Sequence, residues 1–239
     1  MDNQFVIIAL ILFTAAFIQG FSGFGFAIVS IPLLVFLIGV KAAIPLAALL
    51  GLVINIYLII KLHQHINISE LKNVLIGAVI GIPFGVYFLA NTDAGAIETF
   101  LGVLILAFAI VSLIGKFQPK SINPNWGYGF GLVAGVLGGA FNTNGPPVLI
   151  YFYLSGFDKF KQKASITGFF LVNSVMIVIW HAVSGLTNSA ILLDFAYYLP
   201  FVVAGFVIGD HFFGKVSPEL FNKIILIGLV IMGIFLVIR

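Results

Sequence analysis

The chain has 239 residues, 62% of them apolar and 8% charged, with a mean hydropathy of +1.22. Soluble domains carry about 25% charged residues, so a water-exposed globular fold is excluded. No Lys, Arg, Asp, Glu or His stands between Asn3 and Val40, nearly twice the ~20 residues that cross a bilayer, and the polar stretches at 61–72, 115–125 and 156–163 are too short for a soluble domain.

The net charge of +3 comes from scattered loop lysines, with no basic, aromatic-interleaved surface of the kind that binds nucleic acid. The lack of Cys excludes disulfides, thiolate metal sites and Cys nucleophiles, and says nothing about compartment. Met1-Asp2-Asn3-Gln4 lacks the basic start of a secretory signal, so the first apolar helix is expected to be retained.

Gly, Pro and charge clusters divide the chain into ten apolar stretches: 4–19, 26–39, 43–60, 72–90, 97–115, 126–141, 146–155, 164–183, 195–213 and 219–238. All are expected to be helical, because hydrocarbon offers no partner for an unpaired backbone group. The ten fall into two fives that match in places. Gly20-Phe-Ser-Gly-Phe-Gly before Pro32-Leu-Leu lines up with Gly135-Val-Leu-Gly-Gly-Ala before Pro147-Val-Leu at an offset of 115. Gly81 and Gly85 correspond to Gly205 and Gly209 at an offset of 124, and Asn55 to Asn173 with a small gap. The pattern is that of a duplicated, transporter-like unit, with repeats over 1–118 and 119–239.

Charge orients the repeats. If 4–39 and 126–155 each return to the side they enter from, Lys61, Lys72, Lys116, Lys120, Lys159, Lys161, Lys163, Lys215 and Lys223 share one face, against Lys41 and Arg239 on the other. Nine against two is the positive-inside bias. Each repeat then crosses an odd number of times, the second is inverted relative to the first, and both termini face outside. The hairpin arms of about 16, 14 and 10 residues span ~24, ~21 and ~15 Å, short of a ~30 Å hydrocarbon core. The expected fold is therefore an all-α polytopic membrane protein of two inverted repeats, each a re-entrant helical hairpin plus three transmembrane helices.

The hairpin tips hold the residues expected to bind substrate. Gln19, Ser22, Asn142, Thr143 and Asn144 are polar groups at expected mid-membrane depth, where an unpaired amide or hydroxyl costs a few kcal/mol. Gly20, Gly23, Gly25 and Gly145 allow close backbone approach, and each tip leads into a helix start whose N–H groups and positive dipole end point at the cavity. Asn55 and Asn173 stand mid-helix and complete the expected cavity lining. Asp210-His211 is a gating or coupling candidate, whereas His181, beside Trp180, reads as part of an interfacial aromatic belt. His63 and His65 have poor spacing for a helical metal site, and no cofactor or metal is expected. Neither His-Glu-x-x-His nor Gly-x-Ser-x-Gly occurs, and Ser22 has no base at its depth, so an intramembrane enzyme is disfavoured. With no carboxylate to pair a cation and amide and hydroxyl donors at the midplane, the site favours a small oxyanion. A passive channel and a non-transporting scaffold remain open on the residues alone.

Gln19-Gly-Phe-Ser-Gly-Phe-Gly-Phe…Pro32-Leu-Leu and Gly135-Val-Leu-Gly-Gly-Ala-Phe-Asn-Thr-Asn-Gly-Pro-Pro-Val-Leu, with the Gly81…Gly85 and Gly205…Gly209 helices, resemble the sulfite exporter TauE/SafE family of bacterial inner-membrane transporters. The resemblance runs the whole length and implies export of sulfite or small organosulfonates across the cell inner membrane.

Overall fold

The computed structural model describes residues 3–23, 25–62, 68–114, 122–156, 159–212 and 230–238, and these are helical with short connections and no strand. The helices are α1 (Asn3–Ser22), α2 (Phe26–Ile38), α3 (Val40–Leu62), α4 (Ile68–Asn91), α5 (Ala94–Ile114), α6 (Trp126–Phe141), α7 (Gly145–Leu154), α8 (Lys159–Val183), α9 (Ser189–His211) and α10 over 230–238. Helices α1, α3, α4, α5, α8 and α9 are long and apolar enough to cross a membrane, while α2, α6 and α7 are shorter. The protein is multi-pass. His63, His65, Lys116, Lys120, Asp158, Lys215, Lys223, Arg239 and the first part of the expected last helix lie outside the described residues.

Several boundaries differ from expectation, α4 starting at Ile68 and α8 at Lys159, four and five residues early, and two others have a clear local cause. The first arm is not short: α1 has 20 residues, about 30 Å at 1.5 Å each, because Gln19 and Gly20 continue the helix instead of ending it. The ninth helix starts at Ser189, earlier than the expected 195, because the Asn188 side chain caps it by accepting from the Ile191 N–H at 3.0 Å. Asp194 consequently lies inside the helix, half-buried, instead of at its end.

The described chain forms two compact units, and these do not follow the two sequence halves. One comprises Met1–Leu50, Thr92–Gly115 and Asn188–Arg239; the other comprises Gly51–Asn91 and Lys116–Thr187, with the division falling inside α3. In the second unit, α4 and α6 pack through glycine. A Cβ added at Gly77, Gly81 or Gly85 would collide with the carbonyl of Tyr128, Leu132 or Val136, and one at Gly131, Gly135 or Gly139 would collide with that of Val74, Ala78 or Ile82. Partner numbers rise together, so the helices run parallel. Lipid gives no hydrophobic drive to helix association, and such close backbone contact supplies the attraction instead. Away from this stripe α4 exposes Ile80, Phe84 and Tyr87, apolar surface suited to lipid.

The first unit repeats the device with α1 and α9. Gly205 and Gly209 meet the carbonyls of Phe13 and Phe17, and Gly20 meets that of Phe206, again in parallel. There α5 and α10 also meet: a Cβ at Gly102 would stand 2.9 Å from the Gly233 carbonyl, and one at Gly233 would stand 3.1 Å from the Gly102 carbonyl.

Both kinked segments fold back on themselves. Gln4 Nε2 donates to the Leu37 carbonyl at 2.8 Å, joining the start of α1 to the end of α2. In the other hairpin the Ile122 N–H donates to the Leu154 carbonyl at 3.4 Å, and the Tyr151 hydroxyl donates to the Pro124 carbonyl at 3.3 Å.

These contacts correct the alignment of the two hairpins. Gly139 packs on the Ile82 carbonyl and the Val86 N–H as Gly20 packs on the Phe206 carbonyl and the Asp210 N–H. Ile82 and Val86 precede Phe206 and Asp210 by 124 residues, the offset already shared by Gly81 and Gly205, so Gly20 corresponds to Gly139 and the hairpin offset is 119. The same offset carries the end of α1 at Ser22 to the end of α6 at Phe141, the positive φ of Gly23 to that of Asn142, and the start of α2 to that of α7. The sequence match at 115 falls one helical turn short.

Candidate functional site

Each tip is a helix end, a residue with positive φ, and a new helix. At the first, the Gly23 N–H donates to the Gln19 carbonyl at 2.7 Å, and Gly23 and Gly25 have φ of 86° and 110°, which L side chains rarely adopt. The Gln19 side chain is buried and turns to the new helix, where its Oε1 accepts from the Phe26 N–H at 3.0 Å. It thereby pins α2 to α1 and satisfies one of the orphan donors of α2. Gly20 faces the α9 backbone, and the side chain of Ser22 is not among those described. Replacing Gln19 with Leu is expected to lower stability by about 1–3 kcal/mol by orphaning that buried N–H. The thermal midpoint of the detergent-solubilised protein reads this out, and an unchanged midpoint would remove the pin.

The second tip is built differently. The Asn142 N–H donates to the Gly138 carbonyl at 2.8 Å, and Asn142 takes φ 52°, tolerable because its short polar side chain suits the left-handed region. Asn144 precedes α7 but its side chain makes no capping bond. Pro146 and Pro147 carry no N–H, so Gly145 offers the only N–H among the first three residues of the helix. The expected fan of donors at the helix starts is thus narrower: Gln19 occupies one in α2, and proline removes two in α7.

Helix α8 lies against this second tip. A Cβ at Gly138 would meet Ile177 Cδ1 at 3.1 Å, Asn144 Cβ at 3.2 Å and Asn173 Nδ2 at 3.5 Å, while one at Gly145 would meet the Phe170 ring at 3.6 Å. Asn173 is 1% exposed, and neither its Nδ2 nor its Oδ1 has a hydrogen-bond partner in the protein. Thr143 is also buried, with its hydroxyl unpartnered. Leaving such groups unmet costs about 1–3 kcal/mol each, and a fold gains nothing by carrying that cost where apolar residues would pack. Asn55 on α3 is satisfied, with Nδ2 3.2 Å from the Ser174 hydroxyl and 3.4 Å from the Phe170 carbonyl. It holds α3 to α8 one residue from Asn173.

His181 corrects the reading of an interfacial belt. Its side chain is fully buried, and Nε2 donates to the Gly139 carbonyl at 2.9 Å, satisfying a carbonyl at the end of α6. The signal was present in the sequence, because Asn173, Ile177 and His181 recur every four residues and share one face of α8. Gly138 was missed for a related reason: in the pair Gly138-Gly139 one glycine serves α8 and the other α4. Asp210 and His211 end α9, where the His211 ring stands edge-on to Phe212 with centroids 5.7 Å apart. Among the described residues no group of three His, Asp or Glu could hold a metal ion.

A multi-pass helical protein whose kinked hairpins place uncharged polar groups in its interior has the plan of a membrane transporter. The family model described as "Sulfite exporter TauE/SafE" matches residues 8–236, and the chain belongs to that family, whose members are transporters and not enzymes. A curated relative, the "Probable sulfite/organosulfonate exporter TauE" of Cupriavidus necator, is 26% identical over 176 residues, 70% of this chain and 68% of that protein. No solved structure matches.

Proposed function

We propose that this protein exports sulfite or small organosulfonates from the cytoplasm across a bacterial inner membrane, through a central site between two inverted repeats over 1–118 and 119–239. The observation that carries the reading is the buried, unpartnered Asn173 carboxamide beside the second tip, in a hairpin that contains no charged side chain between Lys120 and Asp158. Neutral donors without a fixed cation suit a small anion that has to be released again. Gln19, Gly20, Ser22, Gly23 and Gly25 from the first tip join Asn142, Thr143, Asn144, Gly145, Asn55 and Asn173 in lining the path, and Asp210-His211 would gate it.

The inverted relation is supported by α5 and α10, the fifth helices of the two repeats. Their contacts run in opposite senses, Gly102 against 233–237 and Leu106 against Gly233, as equivalent helices of inverted repeats do when they meet. Efflux from proteoliposomes is expected to be saturable and selective for sulfite and small organosulfonates within a panel of anions. Non-saturating flux without selectivity would make the protein a passive channel, and silent vesicles would refute transport.

The proposed orientation places Lys61–Lys72, Lys116–Lys120 and Lys159–Lys163 in the cytoplasm and Lys41 and both termini outside. A Cys introduced at 118, in a chain that has none of its own, is expected to resist an impermeant maleimide in intact cells and to react after permeabilisation. Labelling from outside would overturn the proposed orientation.

A further inference from the structure

We propose that an oxygen of the transported anion binds over Gly138, within reach of the Gly145 N–H and the side chain of Asn173, and that in the first hairpin the Gln19 side chain fills the corresponding position from within the chain. The anion's identity rests on the export reading; the position rests on comparing the two hairpins.

At the offset of 119, Gln19 corresponds to Gly138 and Phe26 to Gly145. The Gln19 carbonyl accepts from the Gly23 N–H and the Gly138 carbonyl from the Asn142 N–H, so the two residues hold the same place at the end of their helices. In the first hairpin a carboxamide oxygen, Gln19 Oε1, meets the N–H that opens the new helix at 3.0 Å. In the second, Gly138 has no side chain to do this, and no Asn144 bond takes its place. The space a side chain at 138 would enter is instead bounded by Asn144, Ile177 and the end of the Asn173 side chain, 3.5 Å away, with both Asn173 polar atoms buried and unpartnered. A carboxamide donor and a helix-opening N–H both suit the oxygen of a sulfite or sulfonate group, since each donates and neither carries charge. Gln19 Oε1 shows what such an oxygen does at this position: it accepts from the first N–H of the helix. The duplication thus gives one hairpin a built-in oxygen and leaves the other to take its oxygen from the substrate.

The test uses two variants of the full-length protein. Gly138→Gln supplies the second hairpin with the carboxamide that Gln19 supplies to the first. Asn173→Leu replaces the unpartnered side chain with an apolar one of similar size. Asn173→Leu is expected to keep or raise the ligand-free thermal midpoint in detergent, and Gly138→Gln, whose Cβ has to push Ile177 and Asn144 aside slightly, is expected to stay folded at a somewhat lower midpoint. Both are expected to lower efflux of [35S]sulfite from proteoliposomes at least tenfold and to lose the rise in midpoint that sulfite gives the parent protein by binding its folded state. Either variant folding and still responding to sulfite like the parent would overturn the proposal. So would both variants unfolding, since Gly138 and Asn173 would then serve the fold alone. If the parent ignores sulfite and sulfoacetate but responds to another small anion, and both variants abolish that response, the site stands and the sulfur-anion reading fails.

Discussion

Gly135→Leu is expected to cost about 3 kcal/mol, the upper end of overpacking penalties, and to remove most folded protein from the membrane, while Gly129→Leu, six residues earlier on the same helix, is expected to be neutral or slightly stabilising. The two sites differ only in what they face. A Cβ at Gly135 would drive into the Ala78 backbone of α4, which cannot rotate away as a side chain could. At Gly129 nothing lies within 4 Å, and the exposed position loses only the helix penalty of glycine, up to about 1 kcal/mol. Yield of monodisperse protein and its thermal midpoint in detergent report both. Equal behaviour of the two variants would mean that the glycine stripe does not set the spacing of α4 and α6.

The glycine stripes stand in the sequence as Gly77, Gly81 and Gly85 and as Gly131, Gly135 and Gly139, and spacing by four on a helix fixes a face whatever the partner. The partner was not legible. Gly77, Gly81 and Gly85 could seat against any small-residue face, and the sequence has no term for the choice of α6 from the other half of the chain. The interleaving of the halves in both compact units follows from that choice. Helix boundaries were readable where turn residues frame an apolar run, as for α6 at Trp126–Phe141. They failed where a polar residue belongs to the helix, as Gln19 does.

At the site, residue types were more legible than register. Pro32 and Pro147 drew the two hairpins into alignment at 115, but proline near a helix start tolerates several positions, whereas the left-handed residue at the end of the preceding helix does not. That residue is Gly in one hairpin and Asn in the other, so composition hid the correspondence that backbone geometry shows. His181 was read from its neighbour Trp180, although its functional neighbours on a helix stand four and eight residues away, at Ile177 and Asn173. Asn173, Thr143 and Asn144 were found because polar side chains are rare in this apolar chain, and what the sequence withheld was which of them already have partners.

The energetics of export bear on the charge-free hairpins. An anion leaving a cell that is negative inside gains roughly 2.3 kcal/mol per charge for each 100 mV, more than a tenfold outward gradient, so no coupling ion is required. The sequence agrees in having no Asp or Glu between Asp2 and Glu70 or between Glu98 and Asp158, which leaves both hairpins without a proton-relay carboxylate. The most direct measurement is [35S]sulfite efflux from proteoliposomes clamped with potassium and valinomycin at equal pH on both sides. Electrogenic export predicts that efflux rises steeply with inside-negative potential and falls steeply when the potential is reversed. Flux indifferent to potential but driven by a pH or sodium gradient would contradict it, and would make Asp210-His211 the place to seek the coupling group.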